Sequence, residues 1–334
     1  MLQFKVLAKN KALTSQYELP VSGGQITWAK NSVNVANLTV DLKYLQDYLV
    51  LQSTTAKNLF EIGWLNIYIY YGTTLIFAGY LSDITYAQSE QGGSISLTVK
   101  SWLGYFENRF YTATIAGTDA GTIAWNAINS ANDIGITSGS ITTTKSRDRT
   151  YRYDDIAKIV QGLSADNLAS GYDFEITDAK VFNVYSAIGA SKPYVKFDDF
   201  NVISYNLQVG LVGSVFNRGI ILGAGDGDLQ LVQTYSAGVS PYENNWYIQQ
   251  LLLTDTTILE TTTLLDKITQ AITNSKDPLR TLTLQASAET FLDYVVGDTV
   301  SINLPKAELA TTRRITKKAL TFGDNNVVDL EFAI

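Results

Sequence analysis

The chain has 334 residues, with 25 Lys and Arg against 32 Asp and Glu, a formal net charge of -7, and neither cysteine nor histidine. The acidic balance leaves no basic footprint for nucleic acid. The missing Cys and His exclude disulfides, thiol chemistry, Ser-His-Asp and Cys-His catalysis, and histidine-based zinc sites. The length allows two or three domains. The composition is 46% hydrophobic but only 17% charged, below the roughly 25% usual for soluble domains. Thr, Ser, Asn, Tyr and Gly fill the gap, which suits β-sheets and surfaces buried in a larger assembly. The opening "MLQFKVLAKNKALTS" has no basic segment followed by an apolar run, so no secretory leader is expected. No uncharged apolar stretch approaches the ~18 residues of a membrane helix.

Residues 2–100 read as strands and turns. Val35, Leu38, Val40 and Leu42 mark one strand; Leu65, Ile67 and Ile69 alternate with Asn66, Tyr68 and Tyr70 in another. "YGTT" makes a turn, and Gly79 in the following strand marks a bulge or bend. Ile95, Leu97 and Val99 close the set. Such short strands with turn signals suggest a small antiparallel barrel or sandwich. "TVDLKYLQDYLV" reads equally as a short helix or as a strand plus loop.

Residues 112–190 change character. Ala120, Ile123, Ala124, Ala127, Ile128 and Ala131 fall on one helical face, with Thr118 or Asp119 as cap. Ile156, Ile159, Val160 and Leu163 repeat the pattern after Asp154 or Asp155, with Gly171 as the C-terminal stop. "YDFEITDAKVFNVYS" alternates as a hairpin. Residues 191–334 return to β, interrupted by a helix carrying Leu265, Ile268 and Ile272 and stopped at Pro278.

The order of these segments is similar to that of the tail hub, or baseplate hub, proteins of tailed bacteriophages and related contractile injection systems. "SISLTVKSWLGYFENRFY" resembles the exit from a first barrel, and "GTDAGTIAWNAINSAND" the helix that follows. "RDRTYRYDDIAKIVQGLSADNLASGYDFEI" resembles the next helix-to-strand segment, and "VFNRGIILGAGDGD" a strand ending in a Gly-rich turn. "FLDYVVGDTVSINLP" with "RRITKKALTFGDNNVVDLEF" resembles the C-terminal barrel strands. The resemblance runs over nearly the whole chain and rests on order and spacing. It implies a mainly β fold with an α+β insert: two tail-tube-like antiparallel β-barrels plus a small helix-containing domain. The limits would be 1-104 for the first barrel, 105-192 for the insert, and 193-334 for the second barrel with a helical insertion near 255-276. It implies a structural virion protein, a minimal hub ending just after the last barrel strand. The hub would be a trimer whose six barrels cap the tail tube and adapt six-fold to three-fold symmetry around the DNA channel. Implied partners are copies of itself, the distal tail or tube-end protein, the tape measure protein, and a tip, fibre or spike protein. DNA would pass without specific binding, and this chain alone would not insert in a membrane. It would be made in the bacterial cytoplasm and reside at the tail tip.

Four stretches carry a sharper and a plainer reading. Trp102, Tyr105, Phe106, Arg109, Phe110 and Tyr111 would line a pocket or, as the better account, form a domain joint in which Arg109 pairs with a carboxylate or carbonyls. Arg147, Arg149 and Arg152, set against Asp148, Asp154 and Asp155, read as a solvated or interface loop. Arg313, Arg314, Lys317 and Lys318 lie on a strand, with Arg313 and Lys317 on one face and Arg314 and Lys318 on the other. One such face would line a channel, or protect an exposed edge. "GIILGAGDGD" is followed by a strand rather than a helix, so a hairpin turn is preferred over a nucleotide loop. Asp226 and Asp228 alone lack the oxygens of a Ca²⁺ site. No catalytic, cofactor or metal residue is assigned, and no cofactor is expected. The alternatives are a distal tail or a receptor- or carbohydrate-binding tail-tip protein, which the helices at 119–170 oppose, and a carbohydrate-active enzyme, for which no converging carboxylate pair is legible.

Overall fold

Strand alternation governs the first hundred residues. In the computed structural model, which describes residues 4–10, 16–51, 60, 65–89, 92–142, 145–165, 172–210, 215–236, 248–275, 279–307, 309–323 and 326–333, these form seven strands. They are β1 (Phe4–Asn10), β2 (Gln16–Leu19), β3 (Val21–Ala29), β4 (Val35–Asp41), β5 (Leu65–Tyr71), β6 (Thr74–Ser89) and β7 (Gly92–Ser101). The ambiguous stretch before residue 50 splits: β4 ends at Asp41, and α1 runs Leu42–Leu51. The Asp41 carboxylate accepts from the Lys43 and Tyr44 N–H groups, the satisfaction an N-cap supplies.

The insert holds β8 (Phe110–Asp119), α2 (Ala120–Ser130), β9 (Thr137–Ile141), β10 (Ser146–Asp155), α3 (Ile156–Ala165), β11 (Asp173–Ile176) and β12 (Val181–Tyr185). Asp119 caps α2 by accepting from Thr122 N–H at 3.1 Å, and Asp155 does the same for Lys158 in α3. Gly171 and Pro278 lie outside the described residues. The remainder comprises β13 (Ser191–Asp198), β14 (Val202–Gly210), β15 (Arg218–Leu222), β16 (Val232–Ser236), β17 (Gln250–Thr254), α4 (Thr261–Ser275), β18 (Leu279–Ser287), β19 (Thr299–Leu304), β20 (Leu309–Phe322) and β21 (Val327–Ala333).

The first seven strands pair in the order β3-β4-β7-β6-β5-β1-β2, all antiparallel. Its two end strands, β2 and β3, are separated in the chain by Pro20 alone. Neighbouring Cα atoms are about 3.8 Å apart, so the sheet must curl until its ends meet. The late strands repeat this logic in the order β14-β18-β21-β20-β19-β13. Their ends, β13 and β14, are joined by residues 199–201, where Asn201 ties the turn through Asp198 N–H and Lys196 C=O. No ladder between β2 and β3, or between β13 and β14, occurs among the described pairings.

The two curled sheets are not separate bodies. The second half of β20 pairs with β3, Lys318 opposite Trp28 and Leu320 opposite Ile26, so both sets form one 13-stranded sheet. Phe4 stacks on Phe322 at 4.2 Å, and Tyr71 meets Phe291 edge-on at 5.1 Å, sealing the seam between the two cores.

The insert has its own core, built from Ile123, Ile128, Val160, Phe174 and Phe182 with Trp102 and Phe106. The strand "GIILGAGDGD" does not belong to the late β-set. It is β15 of a small sheet, β16-β15-β17, covered by α4 through Ile221, Ile258, Leu264, Ile268 and Ile272. Gly219 is required there: a Cβ would overlap the Ile268 side chain. A bridge from Arg149 to Ile258 and the Lys145–Asp266 ion pair at 2.7 Å attach this lobe to β10. Among the described residues no helix is long and apolar enough to cross a membrane.

Candidate functional site

The aromatic knot after β7 is a 3-10 turn, Trp102–Phe106. Trp102 is 1% exposed; its indole N–H donates to Asp178 C=O at 3.3 Å, and Lys180 lies over its ring at 4.4 Å. Tyr105 meets Tyr80 and Phe106 edge-on. Arg109 stacks on Tyr105 at 4.2 Å, donates to Ala131 C=O, and grips Asp133 through both terminal nitrogens at 2.9 and 3.2 Å. Tyr111 packs against Tyr151. The stretch thus sits between the first β-set and the insert. Phe110 differs: it is 60% exposed.

A second tie joins all three parts of the chain. Asp173, at the start of β11 and buried, accepts from Arg314 of β20 at 2.5 Å, from Lys30 at 3.1 Å and Asn31 at 2.9 Å in the β3–β4 turn, and from Ile188 N–H at 2.8 Å. Burial pushes the carboxyl up, but Ile188 N–H, Arg314 and Lys30 together hold it below the usual range. Nearby, Asp298 pairs with Lys192 at 2.9 Å and accepts from Ala190 and Val295 N–H. Gly189 and Gly297, both at positive φ, touch backbone to backbone at this point.

A cavity of about 720 Å³ opens where these parts meet. Its walls are more apolar than polar, with Trp28, Ile76, Phe77, Phe174, Phe291 and Val296 among them. Two charged groups stand in the wall without a side-chain counter-ion within ion-pair distance among the described residues. Lys318 is 5% exposed; its ammonium donates to the Phe291 and Tyr294 carbonyls and faces the Trp28 and Tyr294 rings. Burial lowers its pKa to about 7, against the pull of Asp298 and Asp293 and with some help from Lys192. Asp178 accepts from Ala78 N–H at 2.7 Å. Burial raises it to about 6, opposed by that N–H and aided by Glu175.

The structure divides the two groups of charges read from the sequence. The segment 145–155 is not a loop but mostly β10, and its alternation turns Arg147 and Arg149 inward, 3% and 2% exposed. Arg152 stays exposed. On β20, a register shift between Ile315 and Lys317 interrupts the ladder. Arg314 is used by Asp173, Lys318 is buried, Lys317 is exposed and Arg313 is half-buried. Arg147, Arg149 and Lys318 therefore cannot line a channel, because the strand pleat points them into the protein. The cavity escaped sequence reading because its wall is drawn from segments up to about 290 positions apart. Asp226 caps a 3-10 turn that contains Asp228, and no group of three or more metal-binding side chains occurs among the described residues.

The arrangement has known counterparts. The tail protein from Neisseria meningitidis matches with a TM-score of 0.68 at 9% identity, over 99% of this chain and 96% of that one. The 43 kDa tail protein of prophage MuSo2 from Shewanella oneidensis gives 0.68 at 11%, over 98% and 97%. An Escherichia coli component of the type VI secretion system, with structural similarity to T4 bacteriophage tail proteins gp27 and gp5, gives 0.59 at 10%, over 98% and 76%. No family model and no curated protein sequence matches the chain. The chain has the fold of phage tail proteins.

Proposed function

We propose that the protein is a structural component of a phage or phage-derived tail tip, a hub ring of three chains that caps the tube and adapts six-fold to three-fold symmetry. The observation that carries this reading is the double curled sheet. Each chain holds two β-sets with the same closing logic, welded through β20 and β3, so three chains would present six similar units. The division into 1-104, 105-192 and 193-334 follows the same reading. Chemistry is not its role: the residues assembled at the junction pair with one another and with backbone, as a rigid wall requires. Exposed apolar side chains at the β13–β14 corner, Phe200 at 99%, Tyr194 at 72% and Ile203 at 60%, would be covered by a neighbouring copy. Arg152, Arg313 and Lys317 are the charges left for a subunit interface or channel. Distal tail, tape measure and tip proteins would be its partners, with DNA passing unread.

Light scattering with negative-stain imaging tests this. A mass of three chains and a three-fold ring with a central opening are expected, and Phe200→Ser with Ile203→Ser should weaken the assembly. A stable hexamer would instead favour a distal tail ring. A chain that stays monomeric with its tube-end partner present would overturn the proposal.

A further inference from the structure

The cavity at the junction has the size of a ligand site, within the ~300–1,000 Å³ range of such sites. Its chemistry is unusual for a packing defect. Voids left by imperfect packing are apolar, yet this wall holds an ammonium and a carboxylate, each satisfied by backbone groups alone and neither paired with the other. Two of the three Lys318 protons go to carbonyls, which leaves one. Asp178 uses one oxygen on Ala78 N–H, which leaves the other. Lys30 and Glu175, the other charges in the wall among the described residues, are already engaged by Asp173 and Tyr185.

The two groups stand against different cores, Lys318 against that of the late β-set and Asp178 against that of the insert. Lys318 lies by Phe291 and Tyr294, and Ile76 packs on that same core. Asp178 is held by Ala78, two residues further along β6. The wall is more apolar than polar, with Ile76, Phe77 and Phe174 standing among Asn34, Ser101 and Thr177. Leu292 and Val295, 44% and 52% exposed, line the cavity and give it a mouth.

We propose that this cavity binds a small amphipathic zwitterion, an apolar body with a carboxylate at one end for Lys318 and an ammonium at the other for Asp178. Such a molecule supplies both missing counter-ions at once, and charge-assisted hydrogen bonds in a water-poor site are the strong ones. The described wall residues all come from one chain, so the proposal does not rest on the assembly reading.

Calorimetric titration with 6-aminohexanoate, hexanoate and hexylamine tests it. The amino acid should bind at least about ten-fold more tightly than either singly charged analogue, an advantage of about 1.4 kcal/mol. Lys318→Met should reduce the amino acid to the level of hexylamine, and Asp178→Asn to that of hexanoate. Leu292→Trp, at an exposed position of the mouth, should block all three while leaving the melting temperature unchanged, so that failed folding is not mistaken for lost binding. Equal binding of the three probes, binding that ignores the Trp, or no heat with any of them would overturn the proposal.

Discussion

Asp173 and Arg314 are 141 positions apart in sequence and meet at 2.5 Å. The carboxylate begins the insert's hairpin, and the guanidinium leaves the strand that welds the two β-sets. Lys30 and Asn31 complete the contact from the first set. One buried side chain thus reports whether all three parts are in place.

Asp173→Asn should destabilise the chain by about 2 kcal/mol, because the buried carboxylate loses its charge-assisted hydrogen bonds while Arg314 and Lys30, each about a third exposed, can be rehydrated. Arg314→Met in the same background should cost less than it does alone, since the pair couples. The folded carboxyl titrates below its unfolded value. Its contribution is therefore present above pH about 4 and lost as pH falls through the folded value. Denaturant titrations of the single and double variants from pH 3 to 7 check both points.

Lys318 works in the opposite sense. Its folded pKa is about 7, against about 10.4 unfolded. Between these values the unfolded chain binds more protons, so stability rises with pH from about 7 to 10. Lys318→Met should be more stable than the parent at pH 7, and that gain should shrink towards pH 10. The difference between parent and variant midpoints at the two pH values measures this, and cancels titration of groups common to both.

At the joint, burial and charge predict different sizes of effect. Trp102→Ala should cost about 3–5 kcal/mol, the range for a large aromatic removed from a core. Asp133→Ala should cost under about 1 kcal/mol, although it breaks a two-point Arg109 contact, because its side chain is 52% exposed. Thermal melts of the two variants side by side decide the order.

Gly189→Ala should cost about 2 kcal/mol or more. Its φ of +88° disfavours any Cβ, and the added atom would overlap the Gly297 backbone. Gly117→Ala shares the positive φ but meets nothing within 4 Å, so it should cost less. The gap between the two melting temperatures isolates the close approach from the backbone strain.

Much of the architecture follows from local rules. The period-two runs in residues 35–40 and 65–69 and the stripe from Ala120 to Ile128 need only neighbours a few positions away, so the sequence by itself determined those elements, whereas Leu42 opens α1 rather than closing the strand, and the choice of Asp119 over Thr118 as cap came from the structure. The aromatic cluster is contiguous, so the sequence could frame it as a joint, with a carboxylate or carbonyls left open for Arg109. Local pattern misled at β10, where a polar, charge-dense run hides a strand whose inward face is Arg147, Arg149 and Tyr151. Three things belonged to the tertiary structure alone: the β20–β3 weld, the convergence on Asp173, and the cavity holding Lys318 and Asp178. Each joins residues more than a hundred positions apart, and no propensity encodes which distant strand a strand will meet. Burial then decides the chemistry. Arg314 and Lys318 look alike on paper, but one reaches a carboxylate and the other only carbonyls and rings, because the curled sheets meet there.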